Sequence, residues 1–228
     1  RGEDRRDHQA ARQDVTARLP AVLEQVSDAA ELLSRCEREE LPAEGLHICG
    51  ADLSGTRFEG LRLHGVLLEG CRLTGCRWER ADLSDVVFRR CELSNSGWRD
   101  GFFARVAFED CKAVGAGFGE TGWRGVAFDA CALSYAVFDR ARLREVGFSG
   151  CDLSNASLNE CTWKGLQLDR TVLRSASFLH TPLAGLDLTG CELDGIAVSD
   201  TNAELRGAVV TMEQAAMLAK RLGLVIKV

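Results

Sequence analysis

No stretch of this 228-residue chain approaches the roughly 18 consecutive apolar residues of a membrane helix, and no secretory signal is visible at its start. The chain opens on Arg1 and not on an initiator Met, as expected of a sequence whose first residues are missing. Positive charge is not in excess. Against 34 Asp and Glu stand only 28 Lys and Arg, a formal charge of −6, which excludes general nucleic-acid binding through a basic surface. Histidine is scarce: His8, His47, His64 and His180 lie far apart, and none sits in a catalytic motif with Cys, Ser or Asp. Tyr135 is the single tyrosine, and no glycine run has the form of a phosphate loop. No CxxC pair exists, which argues against a structural zinc site. An enzyme, a cofactor and a metal are therefore not expected. What the chain does have is 46% hydrophobic residues, enough for a sizeable core.

Those residues recur with a period of five, which fits neither a helix (3.6) nor an alternating strand (2.0). In "CDLSNASLNECTW" (Cys151 to Trp163), a small residue, a spacer and a large apolar residue return at Cys151–Leu153, Ala156–Leu158 and Cys161–Trp163. Stepping by five from Ile48 to Val198 gives 31 such central positions, every one apolar, including all four Trp and nine of the ten Phe. Aromatics sequestered in this way mark a core. Two residues after a central position Gly is frequent, as at Gly50, Gly70 and Gly150, with Asn95, Asn155, Asp85 and Asp110 in the same slot, as tight corners require. Eight of the ten cysteines (Cys71, Cys76, Cys91, Cys111, Cys131, Cys151, Cys161, Cys191) occupy the small slot, where Ala81, Ala136 and Ala156 also sit. They read as buried, reduced thiols acting as small hydrophobes in a cytoplasmic protein, not as a disulfide framework.

A second period of 20 runs through Cys71, Cys91, Cys111, Cys131 and Cys151, so four pentapeptides make one coil and equivalent residues stack. About eight coils at ~4.8 Å each make a square solenoid about 38 Å long. Units such as "ADLSG" (Ala51–Gly55), "ADLSD" (Ala81–Asp85) and "CDLSN" (Cys151–Asn155) resemble the pentapeptide repeat family. That resemblance implies an all-β solenoid, a right-handed quadrilateral β-helix; the spacing alone leaves the hand open.

Three regions follow: a helical N-terminal segment (1–45), the β-helix (46–205), and a C-terminal helix with its tail (206–228). An apolar face of Leu19, Val22, Leu23, Val26, Ala30 and Leu33 predicts a helix from Pro20 to Glu39. A cap is the plainer role for it, and a partner-binding helix the other. The outward column Leu67, Val87, Ala107, Ala127, Gly147 is an apolar stripe that needs a cover, and the helix is expected to lie along it. The alternative is a plug over Leu46 and Ile48.

At the other end Thr211 is an N-cap, Ala215, Leu218, Ala219 and Leu222 form a stripe, and Gly223 is a stop. This tail resembles that of the quinolone-resistance (Qnr-type) members of the family. In them the C-terminal helix pairs two protomers, which implies a homodimer here through Leu218, Leu222, Leu224 and Ile226. The resemblance also implies a partner, DNA gyrase or topoisomerase IV, bound by imitation of DNA. Mimicry by the whole rod is poor: ~38 Å of duplex carries about 22 negative charges, whereas residues 46–201 hold 21 acids but also 17 Lys or Arg. The last coils differ. Between Ser175 and Leu205 there is no Lys or Arg, and Asp187, Glu192, Asp194, Asp200 and Glu204 occur; the first four are the candidate acidic site. The register is unbroken from Ile48 to Val198, without the loops linked to topoisomerase protection in some Qnr-type proteins. The alternative is a generic scaffold for an unrelated protein partner. Neither direct nucleic-acid binding nor a membrane is expected.

Overall fold

From Gly45 to Gly195 every fifth residue except Gly190 turns the backbone through a left-handed corner. The computed structural model describes residues 17–226. Gly50, Gly70 and Gly150 take φ near 60°, as the repeat leads one to expect. So do many residues for which that region is unfavourable, among them Arg90, Glu120, Ala130, Tyr135 and Ser175. The corner is imposed on them by the ladder: the Ala130 N–H, for example, donates to the Ser149 carbonyl of the next coil at 2.9 Å. An L-residue held there is strained, so Ala130→Gly is expected to stabilise the fold by about 0.5–1 kcal/mol, read as a shift in the denaturation midpoint at unchanged m-value.

Between corners the chain is extended, and residue n pairs in parallel with residue n+20. The longest strands, Asp82–Arg89, Phe102–Glu109, Gly122–Asp129 and Arg142–Ser149, each cover two faces and pair in succession. The other two faces are shorter. There the corner is closed by a turn bond, as from the Ser96 N–H to the Leu93 carbonyl, and coils join through single bridges. One bridge column runs from Asp52 to Glu192 in steps of 20, so seven full turns separate its ends. The parallel β-solenoid follows as expected.

Inside, the central residues form aromatic columns. Phe88, Phe108, Phe128 and Phe148 stack face to face with centroids 4.8, 4.3 and 5.0 Å apart. The small slot carries a ladder of thiols. All but Cys76 donate to the carbonyl of a central residue on the preceding coil, as Cys71 to Ile48 at 3.3 Å, Cys111 to Phe88 at 3.3 Å and Cys131 to Phe108 at 3.3 Å. Thr171 replaces a cysteine and keeps the bond, to Phe148 at 3.2 Å, so the bond does not depend on sulfur, and the alanines of the slot show that small size is its common requirement. All ten cysteines are free. Burial pushes Cys76 and Cys161 up to about 12 and Cys191 up to about 11, so these thiols are protonated at neutral pH.

The N-terminal segment departs from its expected form, and its first sixteen residues lie outside the described ones. The helix α1 spans only Ala29–Arg38, with Asp28 as N-cap accepting from the Glu31 N–H at 3.0 Å. Val26 belongs instead to a short strand, β1 (Glu24–Val26), paired in parallel with Leu46–Cys49. α1 closes the open first coil: Leu33 enters the core, Glu37 accepts the Glu59 N–H at 2.6 Å, and Arg62 donates to the Glu40 carbonyl. The plug, not the stripe, is therefore its place. An unpaired sheet end needs acceptors for its free N–H groups; the Glu37 carboxylate supplies one, and the Glu40 carbonyl just past the helix takes the Arg62 side chain. The stripe is flanked by the extended chain before β1. Pro20 packs at Gly65, where an added Cβ would come within 2.9 Å of its Cδ, and the Arg18 N–H donates to Asp85 at 2.8 Å. Leu67 and Val87 beside this path are buried, whereas Ala107, Ala127 and Gly147 are only half-buried.

Candidate functional site

The last coil would leave its carbonyls unpaired, and the C-terminal segment supplies their donors. After Val198 the chain passes a 3-10 turn (Ala203–Leu205), and Val209 pairs beside Asp187. It then enters α2, Met212–Ala219, through a capping box of Thr211 and Gln214. The Gln214 amide also donates to the carbonyls of Leu188 and Cys191 at 2.8 and 2.9 Å. Arg221 does the same for Ile196 at 2.7 Å and Val198 at 3.4 Å, and reaches Asn202 Oδ1 at 3.2 Å. Met217 and Leu218 pack on the core beneath. The expected interface residues thus divide. Leu218 lies against its own last coil, whereas Leu222, Leu224 and Ile226 are exposed together with Val225, which is 89% accessible. The final two residues of the tail are outside the described ones.

The acidic residues divide as well. The pentapeptide period puts Asp187 on one side of the square, Glu192 and Asp194 on the next, and Asp200 at a further corner. The Asp187 carboxylate accepts from the Thr189 N–H and hydroxyl at 2.9 and 2.7 Å. Glu192 is paired with Arg174 of the preceding coil. Asp194 and Asp200 are in no ion pair among the described residues. The run without Lys or Arg in sequence is crossed in space by Arg221, which is bound along the Ile196–Asn202 edge.

Glu204 is not part of this surface. It is 5% exposed, and its carboxylate accepts from the His180 N–H at 3.0 Å, the Ser199 N–H at 3.2 Å and the Ser199 hydroxyl at 2.8 Å. Burial pushes its pKa up, but these hydrogen bonds outweigh burial and hold it below the usual glutamate value. The sequence places it only in the run without Lys or Arg; no local signal marks a carboxylate that serves a distant corner.

Along the rod the charges form ladders across coils. Asp52–Arg72 at 2.5 Å, Asp85–Arg105 at 2.5 Å, Arg89–Glu109 at 2.8 Å and Glu92–Lys112 at 3.2 Å alternate in sign. Most arginines of the first coils are therefore neutralised. Not every column alternates: Arg57 and Arg77 are in register, and Arg124, Arg144 and Lys164 form a longer stack of one sign, none of the five being in an ion pair among the described residues. Like charges in register repel. No helix among the described residues is long and apolar enough to cross a membrane.

Four short faces per coil, parallel register and left-handed corners every five residues define a quadrilateral β-solenoid. The family model "Pentapeptide repeat region" matches residues 47–118 and 121–198, and the chain belongs to the pentapeptide repeat family. No curated protein matches it. Solved structures with a similar fold include QnrB1, described as a plasmid-mediated fluoroquinolone resistance protein. One trypsin-treated variant of QnrB1 is 23% identical, with 92% of this chain and 98% of that chain covered at a TM-score of 0.46. A second is 21% identical over 81% and 99%, at 0.45. HetL, a pentapeptide repeat protein involved in heterocyst differentiation regulation from the cyanobacterium Nostoc sp. strain PCC 7120, is 18% identical over 74% and 89%, at 0.35. At these identities the likeness concerns the fold alone.

Proposed function

We propose that the chain is a non-enzymatic binding rod that pairs end to end with a second copy and contacts a type II topoisomerase through its acidic C-terminal coils. The observation that carries this reading is the make-up of the C-terminal end. Apolar side chains that the cap does not use (Leu222, Leu224, Val225, Ile226) stand beside the only coils whose repeats bring no Lys or Arg of their own. Burying that apolar surface between two copies would place two acidic ends together at the centre of a double-length rod, where Asp187, Glu192, Asp194 and Asp200 would stand in for phosphates. The mimicry is confined to this centre, since the ladders neutralise the rest. In this reading the protein works in the cytoplasm with its buried thiols reduced.

The test is a DNA gyrase supercoiling assay with the purified protein, with and without a quinolone, run beside light scattering. The wild type is expected to be a dimer that alters supercoiling. Leu224→Asp, on an exposed side chain, is expected to weaken pairing at least about tenfold, or ~1.4 kcal/mol, and to weaken the gyrase effect with it. A monomeric wild type, or full gyrase activity at saturating protein, would contradict the reading. The second reading, a scaffold for an unrelated partner, is favoured by the unpaired column Arg124, Arg144, Lys164, which suits an acidic protein segment laid along that face.

A further inference from the structure

Cys49 breaks the logic of the thiol ladder. Eight cysteines are buried in the small slot, but Cys49 follows a central residue, points outward and is exposed. Two residues earlier on the same strand, His47 projects from the same face, because Ile48 between them points inward. On the next coil Glu69 is the register partner of Cys49. The His47, Cys49 and Glu69 donor atoms lie within 4.8 Å of one another. We propose that these three side chains form a surface site for a borderline divalent cation, Zn²⁺ being the ion that the donor set fits.

His47 Nε2 stands 3.1 Å from Glu69 Oε2, and its Nδ1 lies 2.7 Å from the Gln25 amide of β1. As placed, the Gln25 amide nitrogen donates to Nδ1 and Nε2–H is directed at the carboxylate; a cation between His47 and Glu69 would take the place of that proton, with the Gln25 amide turned so that its oxygen accepts from Nδ1–H. Arg90 holds the other Glu69 oxygen and fixes the carboxylate's direction. Among the described residues Glu69 thus has an arginine on the side of the third coil and no Lys or Arg partner on the side of the first, where the thiol and imidazole stand instead. A thiolate, an imidazole and a carboxylate select zinc-like ions over calcium or magnesium. Tetrahedral ligands at roughly 2.0–2.3 Å from zinc stand about 3.3–3.8 Å apart, so a rotamer change at the exposed Cys49 suffices, with water as fourth ligand. A bound ion would join coil one to coil two and, through Gln25, to the N-terminal cap.

The experiment is titration of the reduced full-length chain with Co²⁺ as spectroscopic probe and with Zn²⁺ by calorimetry. One equivalent of Co²⁺ is expected to give a thiolate-to-metal charge-transfer band that Zn²⁺ abolishes. Zn²⁺ is expected to raise the unfolding midpoint. The band should vanish in Cys49→Ser, and His47→Gln and Glu69→Gln should each weaken binding at least tenfold. Gln25→Leu should keep the band while weakening affinity by about 10–100-fold. Gln25 and Cys49 are exposed and His47 and Glu69 half-buried, and unchanged metal-free unfolding midpoints would show that the variants remain folded. No band in the wild type, a band that survives Cys49→Ser, or affinity indifferent to both His47→Gln and Glu69→Gln would overturn the site.

Discussion

Phe118→Ala is expected to lower the unfolding free energy by about 3–5 kcal/mol, the upper range for an aromatic truncated in a core. Phe118 is fully buried, and its ring meets six others: Trp98, Phe103, Phe108, Trp123, Phe128 and Phe138, with centroids 5.3–6.3 Å away. It sits in the middle of the rod, so no end can relax around the cavity. A solenoid's stability is a sum over coils and their interfaces. A defect in a central coil weakens the interfaces on both sides, whereas the same truncation near an end weakens fewer. Phe58→Ala, in the first coil and, among the described residues, within ring contact only of Trp78, is therefore the comparison, and a clearly smaller loss is expected. Denaturation by urea, followed by tryptophan fluorescence, measures both. Equal losses would mean that the rod does not behave as stacked units.

Glu204→Leu is the second large effect, expected to cost about 3 kcal/mol through loss of the C-terminal cap. Three donors, the N–H groups of His180 and Ser199 and the Ser199 hydroxyl, would lose a buried acceptor, and each unsatisfied group costs about 1–3 kcal/mol. The total stays near the lower bound because the segment can open to water. Hydrogen exchange at 199–222 should accelerate while that at the Phe88–Phe148 coils does not. The wild type carries the same dependence in pH. The folded pKa of Glu204 lies below its ordinary value of 4.5. Its contribution is therefore complete above the unfolded value and is lost as pH falls through the folded one. Below about pH 4.5 the C-terminal unit should loosen before the rod, and in Glu204→Leu that step should be missing. A cap whose acid response is the same in both proteins would remove Glu204 from this role.

The coils were legible because the period of five maps one residue to one place: from Ile48 to Val198 every central residue except the half-buried Trp163 is in the core, and the Gly, Asn or Asp two places on is a left-handed corner everywhere but at Gly190 and Asp200. Corners such as Arg90 and Tyr135 were not legible, since nothing in those residue types asks for a left-handed φ; their neighbours impose it. At the N-terminus, Leu19, Val22, Leu23 and Val26 matched a helical face, but the edge of Leu46–Cys49 offered hydrogen bonds and drew Glu24–Val26 into a strand, leaving Val22 85% exposed. The true start was written locally, in Asp28 with Glu31 three residues on, a capping signal that the longer apolar pattern obscured. At the C-terminal end the helix and its Thr211 cap were readable. The return of Arg221 to Ile196 and Val198, and the inward turn of Glu204, were not, because both depend on groups brought near only by the finished coil.

Displacement of a labelled DNA duplex from DNA gyrase, followed by fluorescence anisotropy as the purified protein is added, tests most directly whether the acidic end takes the place of DNA. The wild type is expected to displace the duplex, with affinity falling as salt rises, and Asp194→Lys with Asp200→Lys is expected to abolish displacement while leaving the unfolding midpoint unchanged. A duplex that stays bound at saturating protein, or is displaced equally by the charge-reversed rod, would contradict the account.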